Sequence, residues 1–170
     1  TLTRITSGYL SASQWGREVS LLSKGRAYLH GSILDCERQA RAPKEKTENY
    51  WQVDEPIGHK FGYVEGLQLK SADGIIRSLV NNISKNGNLC LNVSPRGDGS
   101  IPEDQQKVLR RIGEWLRQYG EGVYNTRAYV VSGENNVRYT CKGNSLVYAF
   151  VLKWNGKPFA ISAIGKGRIK

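Results

Sequence analysis

The residues best placed to do chemistry stand at the ends of short apolar runs. Residues 32–37 read SILDCE, apolar and closing in charge, which is how a buried parallel strand delivers polar groups at its C-terminal end. A second half-apolar run, YWQVDEPIG at 50–58, carries Asp54 and Glu55 before Pro56 and Gly58 break it. A carboxyl group in such a place can give and take a proton, provided that partial burial or a negative neighbour lets it hold that proton near neutral pH.

Other chemistries find less support. Cys36, Cys90 and Cys141 are far apart, odd in number and without CxxC spacing, against both a disulfide scaffold and a zinc site. Cys36 and Cys90 lie inside apolar runs, where buried inert thiols are common, and all three are expected to be structural. His30 and His59 have no ligand spacing, so no metal is expected. The PRGDGS stretch has glycines but lacks the lysine and flanks of a phosphate loop, and Asp98 within it reads as a turn former.

The elements that would position the carboxylates alternate along the chain. Residues 9–15 could close a helix at Gly16, and EVSLLSK at 18–24 reads as a short strand. After SILDCE, the stretch RQARAPKEKTEN is too charged to be anything but loop. Ser71 can cap a helix running to about Lys85, with Ile75, Ile76, Leu79, Val80 and Ile83 on one face and Asn86-Gly87 as its stop. NLCLNVS at 88–94 is then a buried strand. A second helix is predicted from about Pro102 to Tyr119, opened by a capping box between Ser100 and Glu103 and closed by Gly120. Val108, Leu109, Ile112, Trp115, Leu116 and Tyr119 form its apolar stripe. This rhythm is that of an α/β fold with a parallel sheet. From about Thr126 the pattern becomes all-β: AYVV, NVRYTCKG, SLVYAFVLKW and PFAISAI, separated by ENN, KGN and NGK turns.

The chain has 170 residues, a hydrophobic share ordinary for a globular protein, and a net charge of +10. No run approaches a membrane span, and TLTRITSGYL has no apolar core with a cleavage site. The absence of methionine suggests a piece of something longer. The positive charge raises nucleic acid or another polyanion as a partner, but the basic residues are dispersed and no RNP, zinc-finger or helix-turn-helix pattern accompanies them, which leaves that reading the weaker one.

The segments YWQVDEPIGHKFGYVEG, LKSADGIIRSLVNNISKNGNLCLNVSPRGDGSIP and GEWLRQYGEGVYNTRAY resemble the second half of α-L-fucosidases, a family of retaining glycoside hydrolases, densely over residues 31–129. The resemblance implies an α/β fold: the second half of a (β/α)8 TIM barrel over residues 1–126, then the start of a C-terminal β-sandwich from 127. EVSLLSK, SILDCE, YWQV and NLCLNV would be barrel strands five to eight. The strands that carry the family's sugar-binding histidines and aspartate nucleophile would lie in an absent N-terminal half.

The activity implied is hydrolysis of α-L-fucose from oligosaccharides or glycoconjugates, with no cofactor. The DCER segment resembles a D-x-E-R strand end of one branch, which makes Glu37 the general acid/base, with Arg38 beside it. Another branch places its acid directly after the strand-seven tryptophan, where this chain has Gln52; a glutamine cannot donate and recover a proton, and Asp54 and Glu55 are the alternatives. Trp51, Phe61 and Tyr63 are the aromatic candidates for fucose's methyl group and apolar ring face, with Trp51 equally readable as packing. Four barrel strands alone would leave an open edge and an uncovered inner face, so docking to the other half, or self-association, is expected. A non-catalytic carbohydrate-binding or structural remnant is the alternative.

Overall fold

The computed structural model describes residues 21–24 and 32–165. The predicted helix at 9–15, the first residues of EVSLLSK, and His30 lie outside them. Four strands, β1 (Leu22–Lys24), β2 (Ile33–Glu37), β3 (Trp51–Pro56) and β4 (Gly87–Asn92), form one parallel sheet in that order. Helix α1 (Ala72–Ile83) follows β3, and α2 (Glu103–Tyr119) follows β4. Between β2 and β3 the chain makes only a single 3-10 turn at Gln39–Arg41 and a loop, as its charge density demands.

Register divides the sheet into two unlike faces, because neighbouring partners share a side and successive residues alternate. On one face Leu34, Trp51 and Gly87 line up, and then Cys36, Val53 and Leu89. These make a core in which Trp51 is 2% exposed and Val53 fully buried. Trp51 lies over Gly87, where a Cβ would come within 2.3 Å of the indole, and its Nε1–H donates to the Lys85 carbonyl at 3.1 Å. On the other face Lys24, Asp35, Gln52 and Asn88 form one row, and Glu37, Asp54 and Cys90 the next. That face is polar, and Asn88 and Cys90 on it are exposed. Cys90 is thus not the buried thiol its apolar run suggested: period-two alternation turns it away from Leu89 and Leu91.

Helix α1 begins as expected, with the Ser71 hydroxyl accepting from the Gly74 N–H at 3.1 Å, and it buries Ile75, Ile76 and Val80. The chain leaves it through Asn86, whose φ of 67° is the left-handed turn predicted there. Helix α2 corrects the predicted capping box: Pro102 is its N-cap without a side-chain hydrogen bond. Ser100 is drawn instead into the preceding turn, where its N–H donates to Asp98 Oδ1 at 2.9 Å. Glu103 and Asp104 in the first turn still complement the helix dipole. Buried Gln105 clasps Ser94, accepting its N–H at 2.9 Å and donating to its carbonyl at 2.8 Å, so that a side-chain amide extends the ladder beyond β4.

Beyond α2, β5 (Arg127–Glu134), β6 (Val137–Lys142) and β7 (Leu146–Val151) form an antiparallel sheet in sequence order. Asn135 and Gly143 supply the positive φ its two turns need. This sheet packs on the helices: Phe150 and Leu152 join Trp115 around the core of Ile57, Ile75, Ile76, Val80 and Ile112. The Thr140 hydroxyl donates to the Gly122 carbonyl at 2.7 Å, and Arg138 Nε donates to Asn81 Oδ1 at 3.0 Å.

PFAISAI is not the fourth strand its alternation suggested. It runs irregularly into a 3-10 turn at Ala163–Gly165. Its polar groups bond to one carboxylate instead of a neighbouring strand: Glu134 accepts from the Ser162 hydroxyl, the Ser162 N–H at 2.8 Å and the Ala163 N–H at 3.1 Å, and also from the Tyr139 hydroxyl of β6 at 2.6 Å.

Two outcomes follow. Gly87→Ala should destabilise the chain by about 2 kcal/mol, because the overpacked Cβ meets a fixed indole, whereas Gly97→Ala, with open space around it, should leave the urea midpoint unchanged. The Ser162 hydroxyl, then Tyr139 and the Ala163 amide, hold the Glu134 carboxyl down at about 2 from an ordinary 4.5. A depressed carboxyl stabilises the fold above its ordinary value and loses that contribution as pH falls through its folded value. The Ser162 and Ala163 amide resonances should therefore shift with a midpoint near 2, and a midpoint at 4.5 would mean that the tether does not form.

Candidate active site

The polar face gathers three carboxylates around one ammonium. Lys24 Nζ lies 2.9 Å from Asp54 Oδ2, 3.7 Å from Asp35 Oδ2 and 3.9 Å from Glu37 Oε2. The cross-strand register causes this: Lys24 partners Asp35, and Glu37 partners Asp54. The three acids differ in how they are held. Asp35 is deepest, its side chain 10% exposed, with Oδ1 buried and unpartnered. Asp54 is 24% exposed and takes the shortest bond from Lys24, whose ammonium it holds above the usual lysine range. Glu37, at the strand end, is 46% exposed and has only the longest of the three contacts. In the same row as Glu37 and Asp54, the Cys90 thiol is pushed up by partial burial and then by the charges of Asp54 and Asp35, which disfavours a nucleophilic thiolate. Among the described residues, no group of three or more His, Cys, Asp or Glu is arranged to hold a metal.

Glu55 faces the other way. One of its carboxylate oxygens accepts the Gln39 N–H at 2.7 Å and the other takes the Lys70 ammonium. It is therefore a clamp between the turn after β2 and the segment before α1. Trp51 is on that side too, within the core, so neither residue reaches the carboxylate face.

The loops beyond the strand ends bring the remaining candidates together. Arg38 directly follows Glu37 with φ 65°, a left-handed conformation costly for a residue with a Cβ. It is held there by its N–H on the Asp54 carbonyl at 2.9 Å and by the Arg41 N–H on its own carbonyl at 3.1 Å. Its guanidinium lies over the Phe61 ring, 5.2 Å from the centroid. The Phe61 carbonyl accepts from Asn92 Nδ2 at 2.8 Å and from the Ser94 hydroxyl at 3.0 Å, which pins the loop after β3 to the end of β4. Tyr63, exposed, carries Arg96 over its ring at 5.9 Å.

Glu37, Asp54, Arg38, Phe61 and Tyr63 thus lie at the C-terminal ends of the parallel strands. Lys24, Asp35 and Arg96 were not singled out by sequence reasoning. Asp35 had a usable signal, since it stands two residues before Glu37 and so on the same face.

This arrangement has relatives. The α-L-fucosidase family model matches residues 14–121. Bovine tissue α-L-fucosidase is 34% identical over 130 residues, covering 74% of this chain and 27% of that protein, and the human tissue enzyme is 34% identical over 132 residues, covering 74% and 28%. The chain belongs to the α-L-fucosidase family.

Solved structures agree. An α-L-fucosidase superposes with a TM-score of 0.78 at 29% identity, over 89% of this chain and 35% of that one. Thermotoga maritima α-fucosidase in complex with fucose gives 0.67 at 30% identity, over 82% and 33%. The chain therefore spans about a third of the length of the fucosidases it matches.

Within this family member, the opposed placement of Asp54 and Glu55 separates site from scaffold. Glu55→Ala should lower unfolding stability by about 2 kcal/mol, since it strands the Gln39 N–H and leaves the Lys70 ammonium only the Pro56 carbonyl. Asp54→Ala, at a partly open site, should cost under about 1 kcal/mol in the same urea titration. Equal losses would contradict the assignment.

Proposed function

We propose that this chain supplies the general acid/base of a retaining α-L-fucosidase. In this reading the four parallel strands are strands five to eight of a (β/α)8 barrel, and the antiparallel sheet from Arg127 begins a β-sandwich. The nucleophilic aspartate comes from barrel strands outside these 170 residues. The substrate is a fucosylated oligosaccharide or glycoconjugate.

Glu37 is the proton donor. The observation that carries this is its place at the end of β2, on the polar face, half-exposed and the least engaged of the three acids around Lys24. Asp54 is committed to that ammonium and Asp35 lies a residue pair deeper in the strand, so neither is as free to meet a glycosidic oxygen. In a retaining mechanism a second carboxylate attacks the anomeric carbon, and Glu37 protonates the departing oxygen. It then removes a proton from the water that releases the sugar. Lys24 bridges Asp35 and Asp54, which ties together the two strand ends beside Glu37. Phe61 and Tyr63 offer fucose's apolar side the ring faces that Arg38 and Arg96 leave uncovered, and Arg38 borders the leaving group.

The decisive experiment is hydrolysis of aryl α-L-fucosides by the catalytically complete protein and its Glu37→Gln variant. With a poor leaving group, loss of proton donation should lower kcat/KM by roughly 10²–10⁴-fold. With a strongly acidic phenol, which departs unaided, the first step should be nearly spared. A uniform loss across leaving groups would remove Glu37 from the acid role. Wild-type inactivity in the assembled protein would favour a non-catalytic sugar-binding role.

A further inference from the structure

The rim of the carboxylate face is cationic. Arg38 comes from the turn after β2 and Arg96 from the turn after β4. Their guanidiniums lie on Phe61 and Tyr63, two rings of the same loop after β3. Stacking occupies the face of a guanidinium and leaves its N–H donors in the plane, spread in the fork that matches a carboxylate or sulfate. Among the described residues neither guanidinium has a carboxylate within ion-pair distance. Arg96 gives one N–H to the Ser100 hydroxyl at 3.3 Å. Asp98, whose charge Arg96 also feels, is held first by Ser100 hydrogen bonds. His59 and Lys60, exposed on the same loop, add donors, and Glu65 is its one acid.

Two features argue that this is more than scattered surface charge. Arg38 keeps a left-handed backbone that two backbone hydrogen bonds hold in place, and its guanidinium is seated on the Phe61 ring. The Phe61 loop beneath it is itself fastened by Asn92 and Ser94. A pre-positioned, unpaired guanidinium next to a proton donor is suited to an anion on the sugar that the donor releases.

We propose that Arg38 and Arg96 form an anion-recognising subsite, and that the glycan carries a sulfate ester or carboxylate on the sugar next to fucose. This rests on the reading of the carboxylate face as a fucosidase site and names its substrate class.

Isothermal titration of the whole protein with three α-L-fucosyl disaccharides tests it, the second sugar being neutral, sulfated or carboxylated. The anionic forms should bind at least about tenfold more tightly than the neutral one, the value of one charge-assisted contact. That advantage should shrink from low to physiological salt. Arg38→Gln and Arg96→Gln should each reduce it, and Arg38→Lys, which keeps the charge and loses the fork, should restore only part. Whichever anion gains more identifies the source, and either gain supports the subsite. Equal binding of neutral and anionic forms, no binding of any disaccharide, or a preference that survives both substitutions would overturn it. Turnover of an uncharged aryl α-L-fucoside is read separately, so loss of the subsite and loss of the fucosidase reading give different results.

Discussion

Glu55 is the joint on which the carboxylate face hangs. Its two oxygens fasten the turn after β2, through the Gln39 N–H, to the segment that leads into α1, through Lys70. The Lys70 ammonium also donates to the Pro56 carbonyl at 3.0 Å, closing the end of β3. These bonds fix where β2 and β3 stop, and the stopping points are where Glu37, Arg38 and Asp54 stand. A buried carboxylate stabilises only when every lone pair is answered, and here the answers come from two segments that must be brought together. The clamp lies one residue from Asp54 in sequence and on the opposite side of the sheet. The pleat thus lets β3 serve scaffold and site with adjacent acids.

The two faces obey different physics. Behind the sheet, Trp51 over Gly87, with Val53, Cys36 and Leu89, makes a dry layer continued by the helices. In front, the register sets two rows of mostly polar side chains. Lys24 is the cation shared by the three carboxylates of this face, and its shortest contact, 2.9 Å to Asp54, links the two rows. Glu37 lies at the margin of that cluster, more exposed and farther from Lys24 than Asp35 and Asp54.

The strands, both helices and the change to antiparallel pairing were legible because each is written in local periodicity and punctuated by a cap or a breaker. The carboxylate at the end of SILDCE was legible for the same reason. What escaped sequence reading depends on partners distant along the chain. Ser100 has the spacing of a capping box but sits closer to Asp98, and the turn wins its N–H. PFAISAI alternates like a strand, yet Glu134 offers its N–H groups a better acceptor than any neighbouring edge. Asp54 and Glu55 look interchangeable in sequence, and only alternation about β3 assigns one to each side. Cys90 looked buried because its neighbours are apolar, although those neighbours face the other way.

The same argument explains why Arg38, Phe61 and Tyr63 stand in the loops. The sheet can offer only side chains spaced by its register, and two acids of the polar face, Asp35 and Asp54, are already engaged with Lys24. The loops after β2, β3 and β4 are free of that spacing, yet they are not loose. Phe61 is pinned through its carbonyl, Arg38 through its backbone, and Ser94 through Gln105. Each pin is a hydrogen bond from an element whose position the core already determines, so rigidity passes outward from Trp51 and Val53 to the rim. A site assembled this way separates its two demands. The strands set where Glu37 stands, and the pinned loops set which side chains border it.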